Sequence, residues 1–350
     1  MLAAPMDDGQ ACLRCHGGVS GDAVEDLAPG VRPTDVGREF AKPYRHPIET
    51  AHRHDRGEVL PEVDSGTPRH VSCLDCHDAH YPVSADRFPD KDSKLRTKAR
   101  PSSLRGVTYQ YELCYRCHGD SANLPGNSRN VRADFSLSNR SYHPVEGAGT
   151  STSVPSLRSP FSAASVIGCT DCHGGDRGEG ISAPHGSAYA GLLRFGYSTL
   201  DGQLESQLTY ALCYRCHDRS SILGDESFAY HRLHLTKPTA QSSCHTCHDS
   251  HGSKRNPYLI RFNPVAVFPT QSGRLRYISE GNRRGECYLI CHEFEHEPGR
   301  YCPPNEPCDR GRVERVDRSR KMMTPQDTGR LWPPPPGSEN NETRREGPPR

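Results

Sequence analysis

Residues 109–118 read YQYELCYRCH, and residues 208–217 read LTYALCYRCH. The two stretches share their last six letters, and each has a Tyr three positions before its first Cys, Tyr111 and Tyr210. Each reads as a short helix running into Cys-x-x-Cys-His. On one helical turn, two thiols three positions apart point to the same side, and the His that follows projects beyond them. What these three side chains hold decides the fold, because the rest of the chain offers little to fold around.

The triplet occurs six times: Cys12, Cys15 and His16; Cys73, Cys76 and His77; Cys114, Cys117 and His118; Cys169, Cys172 and His173; Cys213, Cys216 and His217; Cys244, Cys247 and His248. His makes up 19 of 350 residues. A His directly after six Cys-x-x-Cys pairs therefore has a chance probability on the order of 10⁻⁸. Zinc knuckles pair two Cys-x-x-Cys elements and set any His several residues away. A disulfide framework explains an even cysteine count but not the His. A thioredoxin-type pair would occur once, within a βαβ pattern that is absent. Covalent haem c explains the whole triplet. The thiols reach the porphyrin vinyl groups, and the His takes the iron as proximal ligand.

Hydrophobic residues are 33% of the chain, mean hydropathy is −0.79, and there are 32 Gly and 30 Pro. A polypeptide this polar leans toward disorder. Attached haems are large apolar plates that replace the missing aliphatic core. The expected fold is mostly irregular and loop-rich, with short α-helices at the triplets and little β-structure, wrapped around a stacked haem chain. A net charge of +1 argues against a nucleic-acid partner. Haem propionates would make the loaded protein acidic. No run of 18 apolar residues marks a transmembrane segment. The start, MLAAPMDDGQAC, lacks a basic and then apolar leader. Haem attachment takes place outside the cytoplasm, so the expected location is periplasmic or extracellular, at the outer surface, with the export signal removed or outside this sequence.

Met occurs only at positions 1, 6, 322 and 323, so His is the expected second axial ligand, which implies low potentials. His46 in RHPIE and His143 in YHPVE precede a Pro that favours extended backbone, suited to a ligand on a loop. His80 in CLDCHDAH and His251 in CHTCHDSH lie three residues past a proximal His. Such a His cannot bend back to the same iron but can serve a neighbouring haem. His185 in APHGS, and His231 and His234 in YHRLHL, complete the main candidates. His52, His54 and His245 suit surface or supporting roles equally well.

GECYLICHEFEH at 285–296 holds Cys287, Cys291 and His292, the triplet with one extra residue, and His296 close behind. It reads as a seventh haem site with His292 proximal and His296 a further ligand, leaving Cys302 and Cys308 to pair. The alternative joins these four late cysteines as two disulfides, leaving six haems. The sites group in pairs: residues 1–105, residues 106–205, and residues 206–308 with the seventh site. From 309 to 350 the chain is charged and Pro-rich and reads as disordered.

These triplets, with YHPVEG at 142–147, APHGS at 183–187 and CHDSHGS at 247–253, resemble the cytochrome c3-like, doubled-CxxCH family of multihaem c-type cytochromes, over about residues 10–300. The resemblance implies bis-His haems in a near-contact chain and electron transfer as the function. Its implied partners are other cytochromes and extracellular metal acceptors. Some relatives self-associate into filaments. No catalytic residue is assigned on this reading. The competing reading is a multihaem reductase of nitrogen or sulfur oxyanions or metals. That needs a five-coordinate haem with an open distal face.

Overall fold

The computed structural model describes residues 8–17, 35–48, 71–77, 109–120, 129–176, 183–303 and 306–316. His52, His54, His70 and His80 lie outside the described residues, as does the side chain of Cys15.

The helices are short. They are α1 (Asp8–His16), α2 (Gly37–Phe40), α3 (Cys73–Cys76), α4 (Gln110–His118), α5 (Val131–Phe135), α6 (Cys169–Cys172), α7 (Ala211–Tyr214), α8 (Arg219–Leu223), α9 (His231–Thr236) and α10 (Cys244–Cys247). Between them run the short strands β1 (Tyr44–Arg45), β2 (Ser141–Tyr142), β3 (Gly186–Ser187) and β4 (Gly252–Ser253). Toward the end come β5 (Val267–Phe268), β6 (Arg276–Gly281), β7 (Arg284–Cys291), β8 (Phe294–Tyr301) and β9 (Gly311–Arg315). Among the described residues no helix is long and apolar enough to cross a membrane.

Local chemistry sets the single-turn helices over the cysteines. In α3, Ser72 Oγ accepts from the Leu74 N–H at 3.1 Å, and Asp75 accepts from the Ser72 N–H at 2.7 Å. Asp171 closes α6 in the same way, accepting from Gly168 N–H at 2.8 Å. These contacts satisfy N–H groups that a helix start leaves open. In α10 the equivalent position is Thr246, and the carboxylate comes from a distance: Asp201 accepts from Ser243 N–H at 2.7 Å. The residue after each of these turns is extended, with His77 at φ −122° and ψ 143°, which swings its imidazole off the helix.

Strands β1 and β3 pair antiparallel, with Tyr44 opposite Ser187. Strands β2 and β4 repeat the arrangement, with Ser141 opposite Ser253. The glycine of each HGS segment is dictated by close approach. A Cβ on Gly186 would sit 1.8 Å from Glu39 O, and one on Gly252 would sit 2.0 Å from Asp134 O. Ser187 and Ser253 are buried, and their hydroxyls donate to Leu193 O at 2.6 Å and Ile260 O at 2.8 Å.

The expectation of little β-structure is wrong. Strands β5 to β9 form a five-stranded antiparallel sheet, in which β7 meets β8 on one edge and β5 and β6 on the other, and β8 meets β9. Two-residue turns build it. Asn282 and Arg283 (φ 46° and 60°) join β6 to β7, and His292 and Glu293 (φ 47° and 68°) join β7 to β8. Positive φ at both turn residues matches the twist of a tight hairpin. Neither turn carries the Gly that usually announces it. Part of the tail expected to be disordered contributes β9, with His296 opposite Val313. Cys302 and Cys308 form a disulfide, with Cα atoms 6.1 Å apart.

Candidate functional site

The histidines meet in twos. His46 faces His118 with ring centroids 6.4 Å apart. His77 faces His185 at 5.9 Å, His143 faces His217 at 6.4 Å, His173 faces His251 at 6.3 Å, and His231 faces His248 at 6.3 Å. In each pair one ring belongs to a Cys-x-x-Cys-His triplet. Two imidazoles bound to one metal from opposite sides, with bonds of about 2 Å, have centroids roughly 6 Å apart. The spacing therefore fits an iron between the rings. A bare metal ion would draw in three or more ligands, and among the described residues no such group of His, Cys, Asp or Glu converges.

Hydrogen bonds aim the rings. Nδ1 donates to a backbone carbonyl in His46 (Pro184 O, 2.6 Å), His143 (Ser250 O, 2.5 Å), His173 (Gly191 O, 2.7 Å) and His248 (Tyr258 O, 2.9 Å). A carbonyl only accepts, so the proton sits on Nδ1 and the lone pair on Nε2 faces the partner ring. Burial is the main cause that pushes His185 and His217 down to about 4, and His231 and His251 to about 3. All are neutral at pH 7, the ligating form.

Four of the five pairs cross the two-site units read from the sequence, while His231 and His248 share one. His46, before the second site, meets His118 of the third. His185, after the fourth, meets His77 of the second. The same exchange repeats one unit later, where His143 meets His217 and His251 meets His173. The strand pairs sit beside these ligands. His46 N–H donates to His185 O at 3.3 Å, and His143 N–H to His251 O at 3.1 Å. Phe40 packs edge-on against His185 and Phe135 against His251, at 5.4 and 5.1 Å.

The cysteine pairs are neighbours in chain order. Helix α1 packs on α3. The Cys76 thiol lies within electrostatic range of Cys114 and Cys117, and the Cys114 thiol within range of Cys169. Cys172 lies within electrostatic range of Cys216 and Cys213, Cys213 of Cys244, and Cys247 of Cys291 and Cys287. The cysteine pairs thus follow one another in space as they do in the chain.

Three Leu-Arg or Ile-Arg dipeptides escaped the sequence reading. Arg158, Arg194 and Arg261 N–H groups donate to the carbonyls of Cys216, Cys172 and Cys247 at 2.8–2.9 Å. The preceding Leu157, Leu193 and Ile260 bridge His217, His173 and His248 through the backbone. The signal was there as LLRF at 192–195 and LIRF at 259–262.

Residues 102–256 match the family model described as outer membrane cytochrome MtrC/MtrF-like, domains II/IV. That region is similar to outer membrane cytochromes of this family. The match spans less than half of the chain, covers four triplets and stops before the five-stranded sheet. No curated protein and no solved structure matches the chain.

Outside the matched region the structure splits the last candidate site. Among the described residues His292 does not face another imidazole. Its Nε2 lies 2.9 Å from Asp201 Oδ2, and its Nδ1 faces Ser242 Oγ at 3.4 Å and Cys291 Sγ at 3.5 Å. His296 instead faces His234, at 6.5 Å.

Proposed function

We propose that the chain is an electron carrier of extracellular respiratory electron transfer, holding low-potential bis-His haems c in a continuous row at the outer surface. The observation that carries this reading is the facing of five triplet histidines, His77, His118, His173, His217 and His248, by five others at 5.9–6.4 Å. An iron with both axial positions filled binds no substrate, so it exchanges electrons and does no bond chemistry. Bound haem supplies a one-electron couple. The chain's own residues orient the rings, keep them neutral and exclude water. The two-site units at 1–105, 106–205 and 206–308 serve as repeats of one wire, tied together by exchanged ligands. The finer likeness to the c3-like family rests on the motifs alone, whereas the MtrC/MtrF-like match favours redox partners that are other cytochromes.

The test is the oxidised spectrum of protein matured in a host competent for c-type cytochromes. Low-spin signals alone, with one electron taken up per haem on reductive titration, support the carrier. A high-spin fraction that shifts on adding nitrite or sulfite would replace it with the reductase. Protein carrying no haem would end both readings.

A further inference from the structure

We propose that the hairpin β7–β8 is itself a haem attachment site, in which Cys287 and Cys291 hold the porphyrin, His296 is the proximal iron ligand and His234 the distal one, while His292 is a positioning residue. This rests on the multihaem reading above.

The geometry differs from the six helical sites. In a strand, side chains alternate, so residues two and four apart share a face. Cys287, Leu289 and Cys291 therefore point to one side of β7. His296 on β8 is the direct partner of Leu289, with Cys287 opposite Gly299 and Cys291 opposite Phe294. Directly paired residues share a face. On this strand the four-residue spacing brings both thiols to the side of His296. Gly299 has to be Gly, because a Cβ there would lie 2.3 Å from Nδ1 of His296.

The distal ligand arrives from the neighbouring site. His231 and His234 are three apart on α9, hence on one helix face. His231 faces His248 and His234 faces His296, at 6.3 and 6.5 Å. One helix thus serves two adjacent irons. The His234 Nδ1 donates to Tyr230 O at 2.7 Å, leaving Nε2 for a metal, as in the other ligands. Cys247 of the preceding site lies beside Cys287 and Cys291, which continues the row. His292 spends Nε2 on Asp201, whose other oxygen accepts from Ser243 N–H at the start of α10. It locks the hairpin to the sixth site.

Attachment adds each thiol across one vinyl group. A bond forms from sulfur to the inner vinyl carbon, the C=C π bond is consumed, and the thiol hydrogen ends on the outer carbon. Nothing leaves, and no oxidant is needed.

The experiment is intact mass with electron paramagnetic resonance on the full chain and two variants, His292→Asn and His296→Gly. Asn keeps a donor for Asp201 but removes the imidazole. The expected results are seven haem masses in the wild type and in His292→Asn, both fully low-spin. His296→Gly should either lose one haem mass or keep seven with one high-spin haem that added imidazole returns to low spin. Six haem masses in the wild type would overturn the hairpin site while leaving the carrier intact. Loss of the seventh low-spin haem in His292→Asn, or a His296→Gly protein indistinguishable from wild type, would also overturn it. Zero haems would instead strike the reading on which it rests.

Discussion

His46 and His118 face each other with ring centroids 6.4 Å apart, although they lie in different units of the chain. Replacing His46 with Ala leaves Cys114, Cys117 and His118 in place. The haem mass should stay at the wild-type value while one low-spin haem turns high-spin and recovers on adding imidazole. A spectrum that stays wholly low-spin would remove His46 from the ligand set.

The ring planes of the five triplet pairs fall into two groups. His77–His185 and His173–His251 are nearly parallel, at 17° and 16°. His46–His118, His143–His217 and His231–His248 are tilted by 55°, 44° and 40°. The angle between axial imidazole planes governs the anisotropy of low-spin ferric iron. The oxidised protein should show two families of low-spin resonances, and His185→Ala should remove intensity from the parallel family only. One homogeneous signal would contradict the alternation.

Gly252→Ala should push β4 away from α5, since its Cβ meets Asp134 O at 2.0 Å. Overpacking of this kind costs about 1–3 kcal/mol. The melting temperature should fall and the haems of His217 and His173 should lose low-spin character together. Gly149→Ala, which meets nothing within 4 Å, is the control and should leave both unchanged.

Arg129 holds two buried carboxylates, with Asp134 at 2.6 Å and Asp249 at 2.7 Å. Asp249 is two residues from His251 and accepts its backbone N–H at 3.0 Å. Arg129→Met leaves like charges together and should cost about 3 kcal/mol, read as a lowered melting temperature. A change within the error of the control would show that Arg261, whose guanidinium lies 3.1 Å from Asp134 and 3.4 Å from Asp249, suffices.

The Asp201–His292 pair predicts a pH profile. His292 is held at about 10, first by its hydrogen bond to Asp201 and then by Cys291. Burial raises Asp201, but hydrogen bonds from His292, Ser243 and Thr246 outweigh it and hold the carboxyl below its ordinary 3.8. The His292 contribution is complete below the ordinary 6.5 and is lost as pH rises through about 10. The Asp201 contribution is complete above 3.8 and is lost as pH falls through its lowered value. Asp201→Asn should therefore lower the melting temperature most between about pH 4 and 6.5, with the deficit shrinking toward pH 10. A deficit that does not change from pH 7 to beyond 10 would exclude the ion pair as the hairpin's anchor.

The cysteine triplets and the histidines His46, His143, His185, His231, His234 and His251 stand out in the sequence as candidates, because each sits in a short motif with a local reason. Their partners do not. A single sequence favours pairing within a unit, whereas the HP and HGS segments meet only through backbone ladders between units. Two ladder bonds contribute about 0.5–1.5 kcal/mol each and leave no trace in composition. The sheet was missed for a different reason. Its hairpin turns are Asn-Arg and His-Glu, without Gly, and His292 had already been read as part of a helical triplet. The same spacing has one meaning on a helix and another on a strand, and only the pairing of Leu289 with His296 tells them apart.

The exchange of histidines also sets an order in time. A chain emerges N-terminus first. His77 cannot meet His185, nor His173 meet His251, until most of the following unit has appeared. Each unit therefore waits half-finished for its successor, and a chain cut between units would present a waiting imidazole on both sides of the cut. Fragments divided near residue 105 or 205 should recognise one another, as two halves of a joint do, and the intact molecule should reach its final state unit by unit, each completed as its successor appears.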